Sequence, residues 1–143
     1  MATLTKITPS AKVTKDSHKW HLVDGEKKIL GRFATQVAEL LIGKNKTNYS
    51  PEADCGENVV VINAQSIRVT GQKEDDKLYS RYSGYPGGLK QITLKQVREQ
   101  KPTFILRHAI LGMLPKNKLR KVRVRRLYIY SGADHPHLKE FSQ

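Results

Sequence analysis

The sequence predicts an α/β fold: a three-layer α/β/α single domain with a mostly parallel central sheet of about four strands. Three observations carry this. Strand-like and helix-like stretches alternate along the chain, the order that builds parallel sheets covered by helices. The run "VVVIN" (Val59 to Asn63) is apolar without alternation, as expected of a strand buried on both faces. The third is size: 143 residues, 38% of them hydrophobic, can enclose one real core and offer no internal repeat or second domain.

The opening residues 1–17, "MATLTKITPSAKVTKDS", have no apolar core of a secretory signal and are expected to form an extended arm, with the domain over 18–143. "WHLVD" (Trp20 to Asp24) is a short strand, and "GEKK" the turn that ends it. Phe33, Val37, Leu40 and Leu41 then recur at helical spacing, which predicts a helix from about Arg32 to Ile42 with Gly43 as its C-cap. The Gly-, Asn- and Pro-containing stretch before "VVVIN" is a loop. "SIRVTGQK" is a second short extended piece ending at Gly71, and "EDDK" is polar and turn-like. "LYSRYSGYPGGLK" alternates aromatic and polar residues before a Gly-rich loop.

"TLKQVREQ" predicts a short helix whose Thr93 and Gln96 form a capping box. Pro102 suits the first position of the next helix, "PTFILRHAILGML", which is apolar nearly all round and is expected to be buried. The segment after it, "KVRVRRLYIY", alternates like a strand, while Leu119, Val122 and Arg126 also suit a short helix. Periodicity leaves both open.

Charge narrows the function. Twenty-six Lys and Arg against thirteen Asp and Glu give a net charge of +13, a field that attracts polyanions and repels itself. Its densest part is the basic segment 115–126, with seven Lys or Arg in twelve residues. No acid occurs between Glu99 and Asp134, where Lys101 and Arg107 bring the basic count to nine. Solvated charged faces usually mix signs; this one needs an external anion. Phosphates fit, because Arg forks bind them bidentately and Lys supplies point charges. Tyr82 and Tyr85, beside Arg81 and the Gly-rich loop, have the chemistry to stack on unpaired bases, with ordinary packing as the alternative.

Other classes fit poorly. The turn "VDGEKKILGRFA" lacks the glycine spacing of a dinucleotide fingerprint, and "YSGYPGGLK" is not a phosphate-binding GxxxxGK[ST] loop. Thus no cofactor or small-molecule substrate is expected. Histidines 18, 21, 108, 135 and 137 have no cysteine or carboxylate partners at metal-ligand spacing, and Cys55 has no adjacent base, so neither metal site nor catalytic nucleophile is expected. A single cysteine fits a reducing compartment. The basic segment has too narrow an apolar face for a membrane-surface helix.

These residues also resemble a known family. In order, "W-LVD" (Trp20 to Asp24), "LGRFAT" (Leu30 to Thr35), "GKNKTNYSP" (Gly43 to Pro51), "NVVVINA" (Asn58 to Ala64), "VTGQK" (Val69 to Lys73), "GGLK" (Gly87 to Lys90), "GMLPKN" (Gly112 to Asn117) and a closing "YSG" (Tyr130 to Gly132) are similar to the bacterial L13 (uL13) family of large-subunit ribosomal proteins, over nearly the whole chain. The resemblance implies a non-enzymatic constituent of the cytoplasmic ribosome. It would bind large-subunit rRNA beside neighbouring ribosomal proteins and join the subunit early in assembly. It also implies that the basic segment is loop and helix leading to a final strand.

Carried over residue by residue, the RNA-facing set implied is Arg32, Lys44, Lys46, Lys73, Lys90, Lys116 and Lys118. On charge grounds Arg120, Lys121, Arg123, Arg125 and Arg126 join it, and Arg81 and Tyr82 join it from beside the Gly-rich loop. The chain departs from the family pattern at Glu52, where a histidine is usual, and at Arg81, Tyr82 and Tyr85, which replace histidines. Asn117 and Arg120 stand where glycines are usual. A nucleotide-dependent Rossmann-like enzyme and a free-standing RNA-binding regulator are the alternative readings.

Overall fold

The computed structural model describes residues 18–141, so the arm expected over 1–17 lies outside the described residues. Strand β1 (Trp20–Asp24) leads into helix α1 (Leu30–Ile42) and then β2 (Asn58–Ile62). A single helical turn, α2 (Lys73–Asp76), precedes the strands β3 (Leu78–Tyr82) and β4 (Leu89–Thr93). Helices α3 (Leu94–Gln100), α4 (Pro102–Met113) and α5 (Leu119–Val124) follow, and β5 (Leu127–Ile129) closes the sheet.

The main sheet has the order β1-β2-β5 and is parallel throughout, with Leu22 opposite Val60 and Val60 opposite Tyr128. Val59, Val60 and Val61 of the central strand are completely buried, as the unalternating run predicts. Both crossovers step in the same direction across the sheet. Right-handed connections then place α1 and α4 on one face, and those two helices do pack against each other. Val59, Val61 and Leu127 on that face meet Phe33, Val37 and Leu41 of α1 and Leu106 and Ile110 of α4 in one hydrophobic core.

The α/β class and the parallel sheet agree with the sequence; three details differ. The sheet has three strands rather than about four, because the "SIRVTGQK" piece does not join it and instead forms a single bridge, Arg68 with Ile29, at the turn between β1 and α1. The layer on the far face is not a long helix. Trp20 stacks on Tyr128 with centroids 5.6 Å apart, and His137 and Phe141 of the C-terminal segment pack onto that pair. Finally, α4 is buried only along Ile105, Leu106 and Ile110; Phe104, Arg107, His108 and Met113 are exposed, since α1 and α3 cover just one side of it.

Local signals account for the boundaries. Gly43 ends α1 in the left-handed region (φ 80°), and its N–H donates to the Glu39 and Leu40 carbonyls. Thr93 and Gln96 form both halves of the capping box on α3, and Pro102 occupies the first turn of α4. The aromatic–polar run is a separate antiparallel hairpin, with Tyr79 opposite Ile92, Arg81 opposite Lys90 and Tyr82 opposite Leu89.

A candidate RNA-binding surface

The loop after α1 folds tightly back on itself. A Cβ on Gly56 would lie 1.9 Å from the Leu41 carbonyl oxygen, so only glycine lets the two backbones approach. The next residue, Glu57, is buried; it accepts the Lys19 backbone N–H and lies 2.5 Å from Lys46 Nζ. Cys55 is also buried, its thiol directed at the Asn48 carbonyl 3.6 Å away.

The same loop presents Asp54 to the basic segment. Arg126 donates Nη1 to Asp54 Oδ2 at 2.6 Å and Nη2 to Oδ1. Arg123 Nε lies 4.0 Å from the same carboxylate, and the Arg123 side chain is only 1% exposed. Two of the seven cations are therefore consumed inside the fold. Arg123 and Arg126, expected among the RNA-facing residues, point inward, and Lys46 is held by Glu57. The reason is Asp54, whose carboxylate faces both guanidinium groups, and Arg123 and Val124 are the buried residues of α5.

The segment is helical, as the resemblance implied. Asn117 starts it, accepting the Arg120 backbone N–H on Oδ1 at 3.2 Å. Lys116, Lys118, Lys121 and Arg125 are exposed, and Arg120 is half-buried. Between α4 and α5 opens a cleft of about 520 Å³ lined by Arg107, Arg120, Lys121 and Arg125 together with Leu111, Asn117 and Val124. Four cations face one another there with no carboxylate in the lining. Apolar walls on such a cleft strengthen and focus its positive field. Arg120, standing where the family usually has glycine, supplies part of that wall.

A second basic cleft, of about 690 Å³, lies where α1 begins. Arg32 and Lys73, far apart in sequence, meet there with Lys77 and His108. Lys27 and Lys28 share a neighbouring hollow with Arg32. On the hairpin, Arg81 and Lys90 stand directly across from each other, a repulsive pairing in isolation. Tyr82 (64% exposed) and Tyr85 (76%) project beyond them. Lys44, Lys116 and Lys118 are exposed but line neither cleft. Arg107, Lys77 and His108 are cleft residues outside the RNA-facing set expected from the sequence. Arg107 is hidden inside an apolar helix and Lys77 follows an acidic cluster, so only the acid-free run around Arg107 hinted at either.

The space over Gly25, where a pyrophosphate would approach the β1–α1 turn, is closed by Ile67 at 3.1 Å and the Ile62 carbonyl at 3.2 Å from a Cβ position. Among the described residues, no three His, Cys, Asp or Glu side chains gather to hold a metal, and no helix is long and apolar enough to cross a membrane.

Comparison with known proteins identifies the family. The family model for ribosomal protein L13 matches residues 18–136. The chain belongs to the L13 family. It is 52% identical to the large ribosomal subunit protein uL13 of Solibacter usitatus over 85% of each chain. Against the uL13 protein of Caldanaerobacter subterraneus the identity is 50%, over 89% of each chain. The uL13 protein of Lawsonia intracellularis is 47% identical, over 93% of this chain and 92% of the relative. L13 proteins are structural proteins of the ribosome rather than enzymes. The matched span includes both basic clefts, the hairpin and the Asp54–Arg126 pair.

Proposed function

We propose that this chain is a structural constituent of the large ribosomal subunit that binds rRNA through its basic clefts during early assembly, in the cytoplasm and beside other ribosomal proteins. Family membership supports the placement in the subunit. The observation that carries the mechanism is the α4–α5 cleft, where four cations surround open space without a carboxylate. Phosphates entering it release their counterions and relieve the mutual repulsion of Arg107, Arg120, Lys121 and Arg125. Arg32 and Lys73 form a second phosphate contact, and Lys44, Lys116 and Lys118 extend the footprint.

Sedimentation through a sucrose gradient at high salt tests the reading: the chain should travel with the large subunit, and its absence from that fraction refutes the proposal. For isolated rRNA, log K should fall with log salt by about 0.7 to 0.9 per phosphate contacted, and a flat response refutes the phosphate mechanism.

A further inference from the structure

A third cleft, between β3 and α4, has a different chemistry. Its volume is about 380 Å³, and Tyr79, Phe104 and His108 line it beneath Lys77, Arg81 and Lys101. The rings contact one another: Phe104 stacks on His108 with centroids 5.6 Å apart and planes 24° from parallel, while Tyr79 meets both edge-on at 5.8 and 5.4 Å. Phe104 remains 41% exposed, so one side of this ring cluster is open to a ligand. Lys77 Nζ sits 5.5 Å from the Tyr79 centroid, and among the described residues neither Arg81 nor Lys101 has a carboxylate partner.

An open aromatic floor under an acid-free cationic rim meets two needs together. A flat π-face takes the face of an unpaired base, and the rim takes the phosphates on either side of it. The α4–α5 cleft has cations without rings and suits backbone alone, in duplex or single strand. A protein partner would need acidic side chains for Lys77, Arg81 and Lys101, and it would leave the stacking face of Phe104 without a specific use. From this contrast we infer that the β3–α4 cleft seats an unpaired nucleotide of RNA, its base stacked on Phe104 and its phosphates held by Arg81 and Lys101. The inference rests on the rRNA-binding reading and adds single-strand recognition to it.

The test uses the full-length chain with two probes: a short single-stranded RNA carrying 2-aminopurine and an RNA duplex of the same sequence. Phe104→Leu keeps apolar contact with Tyr79 and removes the stacking face. It should weaken single-strand binding at least about 5-fold and abolish 2-aminopurine quenching, with duplex binding unchanged. Lys116→Ala should weaken both probes alike. Equal loss on both probes with Phe104→Leu, or loss on neither, overturns the inference while leaving the rRNA reading intact. Failure of the unaltered chain to bind either probe at low salt overturns both. A photo-crosslinking benzoylphenylalanine at position 104 in assembled large subunits fixes the occupant: crosslinks to rRNA support the inference, and crosslinks only to protein, or none, overturn it.

Discussion

Arg126 and Asp54, 72 positions apart in the chain, form a two-pronged ion pair that ties the basic segment to the loop after α1. Only 12% of the Arg126 side chain and 20% of the Asp54 side chain remain exposed. Asp54 also faces Arg123, so a single carboxylate balances two guanidinium groups. Removing it by Asp54→Ala strands both. A loss of about 3 kcal/mol is expected, toward the low end for broken buried pairs because Asp54 retains some solvent contact. Urea unfolding measures it as a lower midpoint. A variant as stable as the parent would show that the pair does not anchor the segment.

The exposed cations of the same segment should behave in the opposite way. Lys116, Lys118, Lys121 and Arg125 have no carboxylate partner among the described residues, so replacing any one by Ala should change stability by no more than about 0.5 kcal/mol. For those that contact phosphate, each replacement should lower the steepness of the salt dependence of rRNA binding by about 0.7 to 0.9. Filter binding across a salt series, paired with urea midpoints, separates the two effects. Arg123→Ala should reverse the pattern, with a large stability loss preceding any change in slope.

That division shows where sequence reading succeeds and where it stops. Gly43, the Thr93–Gln96 box, Pro102 and the three central valines announce their structures, because each acts on neighbours within a turn or on a whole strand. The inward turn of Arg123 and Arg126 depends on Asp54, remote in sequence, and no local pattern in "KLRKVRVRR" distinguishes them from Arg125. The hairpin escaped for another reason. Leu78, Tyr82 and Leu89 on its outer face are exposed, so the usual link between alternation and burial does not hold there. The cleft pairing of Arg32 with Lys73 is likewise a product of packing. Spacing along the chain does not contain it.

Acid should weaken the fold through Asp24. The Asn63 side-chain amide, donating to Asp24 Oδ1 at 2.9 Å, holds this carboxyl below its ordinary value near 3.8. The Glu26 backbone N–H and the Lys28 charge act in the same direction, and slight burial opposes them. A depressed folded-state pKa means stability that is fully present above the unfolded value and is lost as pH falls through the folded one. Urea midpoints taken from pH 5 downward should therefore converge for the parent and Asp24→Asn below about pH 4, with the parent more stable above it. Because Asp24 is exposed, the separation should be small and should shrink further in salt. Parallel curves at all pH values would remove Asp24 from the acid response.

Two glycines provide the sharpest contrast in the molecule. Gly56→Ala drives a methyl group into the Leu41 carbonyl, where a Cβ would stand 1.9 Å from oxygen and 2.9 Å from Arg126 Nη2. Neither backbone can retreat without releasing the end of α1 or the start of β2, and the Asp54–Arg126 pair lies alongside. The expected result is a loss of several kcal/mol, enough to consume much of the stability of a domain this size. Gly31, in the first turn of α1, has no atom within 4 Å of its Cβ position and no positive φ. Gly31→Ala should stabilise by roughly 0.5 to 1 kcal/mol, since alanine removes backbone freedom from the unfolded chain without a clash. Thermal unfolding of the two variants side by side decides the matter. Equal effects would mean that the approach of Gly56 to Leu41 is not the constraint holding the α1 loop against β2.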